Sequence, residues 1–132
     1  MINEYKDLKN KVVLITGTSG VIGKSLVQGF DQNNCKVIGL DLRRSTSTEN
    51  SAFESIEIDV SNQNDIKKCV NYIVKKYGSI DVLINNHQFK PKGFLDSSPE
   101  NIKLKLWKDI IDINLTGTFI MCQEVGKIML KK

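Results

Sequence analysis

Val12-Val13-Leu14-Ile15-Thr16-Gly17-Thr18-Ser19-Gly20-Val21-Ile22-Gly23 decides how the rest of this chain is read. The apolar run, rich in β-branched residues, reads as a buried strand, and the glycines after it as a turn into a helix. A second apolar run, Val37-Ile38-Gly39-Leu40, ends on Asp41, eighteen residues past Gly23. A strand, a glycine-rich turn, a helix and a strand ending in an acid form the footprint of a dinucleotide-binding unit. Each part has a physical task. Gly17 lets the chain turn sharply off the strand, Gly20 lets bare backbone approach a pyrophosphate, and Gly23 removes a side chain where helix and strand pack closely. The helix start then offers unpaired N–H groups and a positive dipole end to the phosphates. The alternative is a tight turn that binds nothing; the flanking strand, helix and acid favour binding.

Composition narrows the class. The chain has 132 residues, 40% hydrophobic and 26% charged, which suits one ordinary globular domain. Its net charge of +4 is modest, and no basic stripe interleaved with aromatics runs along it, which argues against nucleic acid as a partner. Cys35, Cys69 and Cys122 are odd in number and lack a Cys-x-x-Cys spacing. They read as small apolar fillers in a reducing compartment, with neither a disulfide nor a metal site expected. No secretory signal is expected at the start and no run reaches membrane-spanning length, so the expectation is a cytoplasmic chain without a membrane partner.

Strand and helix alternate along the chain, which predicts a parallel sheet with helices on both faces. Strands are expected at about 11–16, 36–41, 55–59 and 80–85, with a helix from near Val21 to Asn33. The polar stretch 43–50 reads as a surface loop. Ser61 or Asn62 is a plausible cap for a helix carrying Ile66, Val70, Ile73 and Tyr77 on one face and stopping at Gly78. Residues 87–98, with Pro91 and Gly93, read as a loop over the carboxyl end of the sheet, and Ser98-Pro99-Glu100 as a helix start. From about Trp107 the chain reads as helical, with one apolar stripe through Trp107, Ile111, Leu115, Thr118, Cys122, Val125 and Met129. A second side is apolar through Ile110, Ile113, Ile120, Met121 and Ile128, so two covers are expected. The lone Trp107 is expected in the core.

With these residues in view, the chain resembles the short-chain dehydrogenase/reductase superfamily from Leu8 to Met129. The resemblance rests on the loop Thr16–Gly23, Asp41, Asp59-Val60, the strand end Asp81-Val82-Leu83-Ile84-Asn85-Asn86 and the stretch from Trp107 to Phe119. It implies an α/β fold, a Rossmann-like doubly wound parallel sheet left incomplete. Four strands would lie in the order 3-2-1-4, in one dinucleotide-binding domain over 1–132 that stops after a long helix at about 104–130. It also implies a nicotinamide cofactor and hydride transfer to or from a carbonyl or alcohol. Carried over residue by residue, Gly17, Ser19, Gly20, Ile22 and Gly23 would line the pyrophosphate. Asp41 would hold the adenosine ribose, Asp59 and Val60 would flank the adenine, and Asn85, Asn86 and His87 would lie along the ribose. Asn114 would be one member of a catalytic tetrad with a Ser, a Tyr and a Lys, supporting a water in the proton path. An acid at Asp41 implies NAD over NADP, although Arg43 and Arg44 follow closely.

The departures from the family's pattern carry as much weight. Val21 stands where compact members place the middle glycine, and His87-Gln88 replaces the usual Ala-Gly; with the Lys90–Phe94 loop this looks similar to a surface-sugar or flagellin-modifying subgroup. The Ser and the Tyr-x-x-x-Lys that the family places after the long helix are not met in the sequence up to Lys132. Tyr72 and Lys76 have that spacing but read as a solvated helix face. The expectation is therefore the cofactor-binding portion of an oxidoreductase, inactive by itself, whose complete form acts on a small carbonyl or alcohol. A homodimer through the C-terminal helix is implied. The alternatives are a non-catalytic nucleotide-binding module and a non-functional remnant.

Overall fold

The computed structural model describes residues 5–44 and 53–131. Of the stretch 43–50 expected as a polar loop, residues 45–50 lie outside the described residues. Strands β1 (Val12–Thr16), β2 (Lys36–Asp41), β3 (Glu54–Glu57) and β4 (Val82–Ile84) form one parallel sheet in the order β3-β2-β1-β4. Helices α1 (Val21–Gln32), α2 (Gln63–Tyr77), α3 (Leu104–Ile111) and α4 (Gly117–Met129) accompany it, and a π segment (Asp112–Thr116) joins the last two. This is the parallel sheet that the strand–helix alternation predicted, in the Rossmann-like strand order that the family resemblance implied.

Every residue of β1 is buried, so its alternating side chains feed two cores. Val12 and Leu14 join Ile38, Ile66, Ile73 and Met121 on the face that α2 and α4 cover. Val13 and Ile15 join Val27, Val37 and Phe53 on the face that α1 covers. The register Val12↔Lys36 to Thr16↔Leu40 sets the ends of β1 and β2 level, and Asp81 Oδ2 accepts the Val12 N–H at 2.8 Å to fix the start of β4 beside β1. The carboxyl ends of the central strands therefore open together.

Two strands are shorter than their apolar patterns predict. β3 spans Glu54–Glu57 instead of 55–59 because β2, its one partner among the described residues, ends at Asp41 opposite Glu57. β4 spans Val82–Ile84 instead of 80–85, paired with Val13–Ile15 of β1, and among the described residues nothing pairs with its other edge. Pro99–Asn101 closes one 3-10 turn only; Ile102 and Lys103 are extended, and α3 starts at Leu104, at the start of the long helix expected over about 104–130.

The expected double cover of the last helix is half met. Ile120, Met121 and Val125 are buried, but Trp107 is 52% exposed, and Leu104, Leu115 and Phe119 are also exposed. Trp107 is thus not a core residue: it lies on α3, none of whose residues is buried. Cys35 and Cys69 are buried fillers as expected, whereas Cys122 is exposed on α4.

Helix α2 has a well-formed start and stop. The Asn62 side chain accepts from the N–H groups of Asn64 and Asp65, and Gly78 ends the helix at φ 83°. We expect Asn62→Ala to lower stability by about 1 kcal/mol through the lost cap. A urea midpoint equal to that of the parent chain would show that the cap contributes nothing.

Candidate functional site

At the carboxyl edge of the sheet, Gly17 leaves β1 at φ 71° and its N–H donates to the Leu40 carbonyl at 2.7 Å. A Cβ here would lie 2.8 Å from the His87 Cα, so conformation and space both require glycine. Space alone requires it at Gly23, where a Cβ would stand 2.1 Å from the Gly17 carbonyl oxygen as α1 lies on the loop. Gly20 differs. A Cβ there would meet only the Gly17 carbonyl oxygen, at an ordinary 3.7 Å, so the protein itself makes no demand for glycine.

The start of α1 is built for a negatively charged visitor. Its cap residue, Gly20, contributes no side chain to the first turn, and that turn carries no acid. This contrasts with α2, whose start is closed by Asn62 and carries Asp65. A groove of about 830 Å³ runs past Ser19, Gly20, Ile22, Arg43, Asn86 and Lys90, with the amide end of α1 and two basic residues on its walls. Unsatisfied helix N–H groups and a positive dipole end stabilise an anion in such a place.

Asp41 stands at the rim, where β2 ends. Its Oδ2 accepts from the Ser19 N–H at 2.9 Å and its Oδ1 from the Arg43 N–H at 3.3 Å, while the Ser19 hydroxyl donates to the Arg43 carbonyl at 3.2 Å. The glycine loop is stitched to β2 through this carboxylate, which has lone pairs left for hydroxyl donors. Beside it a narrow cavity of about 120 Å³ is lined by Gly17, Asp41, Asp59, Val60, His87 and Ile113. Asp59 holds its own turn, accepting from the Ser61 N–H and hydroxyl, and Val60 is buried.

The opposite wall is held by the paired asparagines and the broken helix. Asn86 donates its side-chain amide to the Gly17 carbonyl at 3.0 Å. Asn85 is turned away from the cleft: its Nδ2 donates to Cys122 Sγ on α4 at 3.3 Å, and its buried Oδ1 has no hydrogen-bond partner among the described residues. Asn114, in the π segment, clasps the loop: its Oδ1 accepts from the Phe89 N–H at 2.6 Å and its Nδ2 donates to the Phe89 carbonyl at 3.0 Å. Its own carbonyl accepts from the Thr118 hydroxyl at 2.8 Å. The His87 ring lies between Thr16 and Ile113, 2.7 Å from the Thr16 hydroxyl oxygen and 2.9 Å from the Ile113 carbonyl oxygen. Burial pushes its pKa below the ordinary value, against the opposing pull of the Ile113 carbonyl.

Thr16 and Phe89 went unrecognised in the sequence, and both organise this wall. A hydroxyl residue closing an otherwise apolar buried strand was the available signal for Thr16. Nothing in the sequence signalled Phe89, which takes part through its backbone.

Tyr72 and Lys76, read from sequence as a solvated helix face, belong to a cluster. Glu54 accepts from the Tyr72 hydroxyl at 2.7 Å, from Lys76 Nζ at 2.8 Å and from the Tyr77 hydroxyl. Burial raises the Glu54 pKa, but these hydrogen bonds outweigh it and hold the carboxyl below its usual value. The cluster sits at the start of β3, across the sheet from the cleft. Among the described residues no three metal-ligating side chains gather, and no helix is long and apolar enough to cross a membrane.

Comparison with known proteins agrees with this architecture. The family model described as short chain dehydrogenase matches residues 11–132. Glucose 1-dehydrogenase 2 of Bacillus subtilis (strain 168) is 29% identical over 136 residues, covering 96% of this chain and 52% of the relative. The ligand-free structure of Thermoplasma acidophilum aldohexose dehydrogenase superposes with a TM-score of 0.87 at 31% identity, covering 97% of this chain and 48% of that one. A short chain dehydrogenase from Leptospira borgpetersenii serovar Hardjo-bovis, solved with bound NAD+, superposes with a TM-score of 0.87 at 27% identity, covering 99% and 51%. The chain spans about half the length of the relatives it matches.

The glycines of the loop separate in a stability experiment. Gly23→Ala forces the Gly17 backbone to move and is expected to cost about 3 kcal/mol or more. Gly20→Ala, which loses only a favourable cap residue, is expected to cost about 1 kcal/mol or less. Equal losses in chemical denaturation would contradict this assignment of the loop's close contacts.

Proposed function

The chain belongs to the short-chain dehydrogenase family, and on that premise we propose that it is the NAD-binding portion of an oxidoreductase. The whole enzyme would move hydride between a nicotinamide and a carbonyl or alcohol carbon. The observation that carries this reading is the start of α1: uncapped by any side chain at Gly20, free of acids, flanked by basic residues and joined to Asp41. A pyrophosphate fits the amides, and the space above Gly20, which the protein does not use, is left for it. Gly17, Ser19, Ile22 and Gly23 shape that bed. Asp41 accepts from ribose hydroxyls and repels a 2′-phosphate, which favours NAD over NADP. Asp59 and Val60 flank the adenine, and Asn86 and His87 line the path of the ribose.

When bound, the nicotinamide supplies the hydride donor or acceptor. Asn114 supports the proton path from a wall that its pairing with Phe89 keeps in place. Within the described residues no tyrosine–lysine pair of that spacing reaches the cleft: Tyr72 and Lys76 are tied to Glu54, and Tyr5 and Lys9 lie with Asn33 and Asn34 past the far end of α1. These residues alone are therefore read as binding dinucleotide without turnover, which also keeps a non-catalytic nucleotide module in view. A sugar-related substrate for the whole protein is supported by the two relatives named for glucose and aldohexose. The exposed Trp107, Leu115 and Phe119 support self-association through the C-terminal helix, and the composition supports a cytoplasmic setting.

Titration with NADH, followed by its fluorescence, is expected to saturate, with no oxidation of aldoses in the presence of NAD. Asp41→Ala should weaken NADH binding about tenfold, the worth of one hydrogen-bonding carboxylate, while NADPH binding is spared. No binding by the parent chain, or equal weakening toward both nucleotides, would sink the respective parts of this reading.

A further inference from the structure

His87 is half-buried where three elements meet, and its neighbours dictate its state. The Ile113 carbonyl, 2.9 Å from Nε2, can only accept, so Nε2 carries the proton. Thr118 Oγ1, 3.4 Å from the same nitrogen, already donates its own proton to the Asn114 carbonyl and so takes only a weak share. On the other side, Thr16 Oγ1 accepts the main-chain N–H groups of Asn86 at 3.0 Å and His87 at 3.1 Å. Its one proton goes to Nδ1, 2.7 Å away, in preference to the Ile84 carbonyl at 3.5 Å, so Nδ1 is bare. The hydrogen-bond pattern thus closes on a single neutral tautomer.

The ring spans two parts that the backbone does not otherwise join here. Thr16 ends β1, and Ile113 belongs to the π segment in which the Gly117 N–H reaches the Asp112 carbonyl five residues back. Gly117 keeps that contact close: a Cβ there would stand 3.4 Å from Nε2 and 3.0 Å from the Val60 carbonyl oxygen. The loop between, Gln88 and Phe89, forms the cleft wall and is clasped by Asn114 of the same π segment.

We propose that His87 is the positioning residue of this cleft, a strut of fixed tautomer that braces the end of β1 against the π segment and so holds the 86–89 backbone where the dinucleotide lies. The proposal rests on reading the cleft as the dinucleotide site. With both ring nitrogens engaged by the protein, the side chain acts through the wall and not by hydrogen-bonding the ligand.

Acid is the lever that tests it. A proton added at Nδ1 would set donor against the Thr16 hydroxyl, whose lone pairs already receive two N–H groups, and would break the brace. The charged groups near the ring are Asp41 and Asp59 across the cavity, Asp112 in the π segment and Lys90 in the loop. Asp41 is held by Ser19 and Arg43 and Asp59 by Ser61, while the ring's own contacts are Thr16, Ile113 and Thr118. Burial lowers the folded pKa, so the unfolded chain takes up a proton first. Stability from the strut is complete above about 6.5, the ordinary histidine value, and is lost as pH falls through the folded value.

His87 is the one histidine in the sequence, so the imidazole 15N spectrum reads this site alone. We expect a protonated Nε2, a bare Nδ1 and a titration midpoint below the ordinary value; the opposite tautomer, a free mixture or an ordinary midpoint would overturn the strut. In calorimetric titrations with NAD, affinity of the parent chain should fall about tenfold as pH is lowered through that midpoint. His87→Gln keeps one acceptor and one donor without a titrating proton, so it should bind NAD more tightly than His87→Ala and lose the acid dependence. His87→Ala should bind about tenfold more weakly throughout. A Gln variant as weak as the Ala variant, or one that keeps the acid dependence, would refute the proposal. The ring spectrum needs no ligand: if the parent chain binds no NAD at any pH, the dinucleotide reading fails, while the spectrum still judges the tautomer and the brace.

Discussion

A hydroxyl buried at the end of a central strand must find partners, and the way Thr16 finds them organises the carboxyl edge of this sheet. Its oxygen collects the N–H groups of Asn86 and His87, and its proton goes to the His87 ring. Those bonds draw the chain after β4 against the turn after β1, close enough that Gly17 has no room for a side chain. An unsatisfied hydroxyl at this depth costs about 1–3 kcal/mol, so the arrangement is strongly preferred over a loosened one. The cleft wall follows from it, since the Asn114–Phe89 clasp can form only if the loop leaves β4 in this direction.

Across the cleft, Asp41 plays a comparable part with a charged group. It joins the glycine loop to β2 through the Ser19 N–H and leaves the uncapped start of α1 facing the groove. The two anchors differ in reach. Thr16 fixes backbone positions that no ligand displaces, whereas Asp41 combines a structural bond with a surface that hydroxyl groups can approach. The loop is thus held in shape by the protein's own hydrogen bonds.

Elsewhere the surface carries a different constraint. Among the described residues β4 is paired on one side only, and Leu104, Trp107, Leu115 and Phe119 stand exposed along the last helices. An open strand edge and an apolar helix face are both prone to unwanted association. The matched relatives are about twice as long as this chain. The orphaned Oδ1 of Asn85 lies in the same region, at the end of that edge strand.

The strands, their alternation with helices and the glycine turn into α1 were legible in the sequence because they rest on local chemistry, while the strand order was implied by the family resemblance. The β-branched run Val12–Ile15 can only be a buried strand, and a Gly at φ 71° followed by a helix start leaves few ways to turn. The same holds for Asn62 and Gly78 at the ends of α2. What only the tertiary structure decided depends on partners distant in sequence. Trp107 is exposed because α3 buries none of its residues, which the apolar periodicity of the stretch does not reveal. Asn85 serves α4 and not the cleft, though its neighbour Asn86 does the reverse, because successive residues past a strand point to opposite sides. The His87 tautomer is set by a carbonyl twenty-six residues later and a hydroxyl seventy-one residues earlier, and no local pattern encodes either.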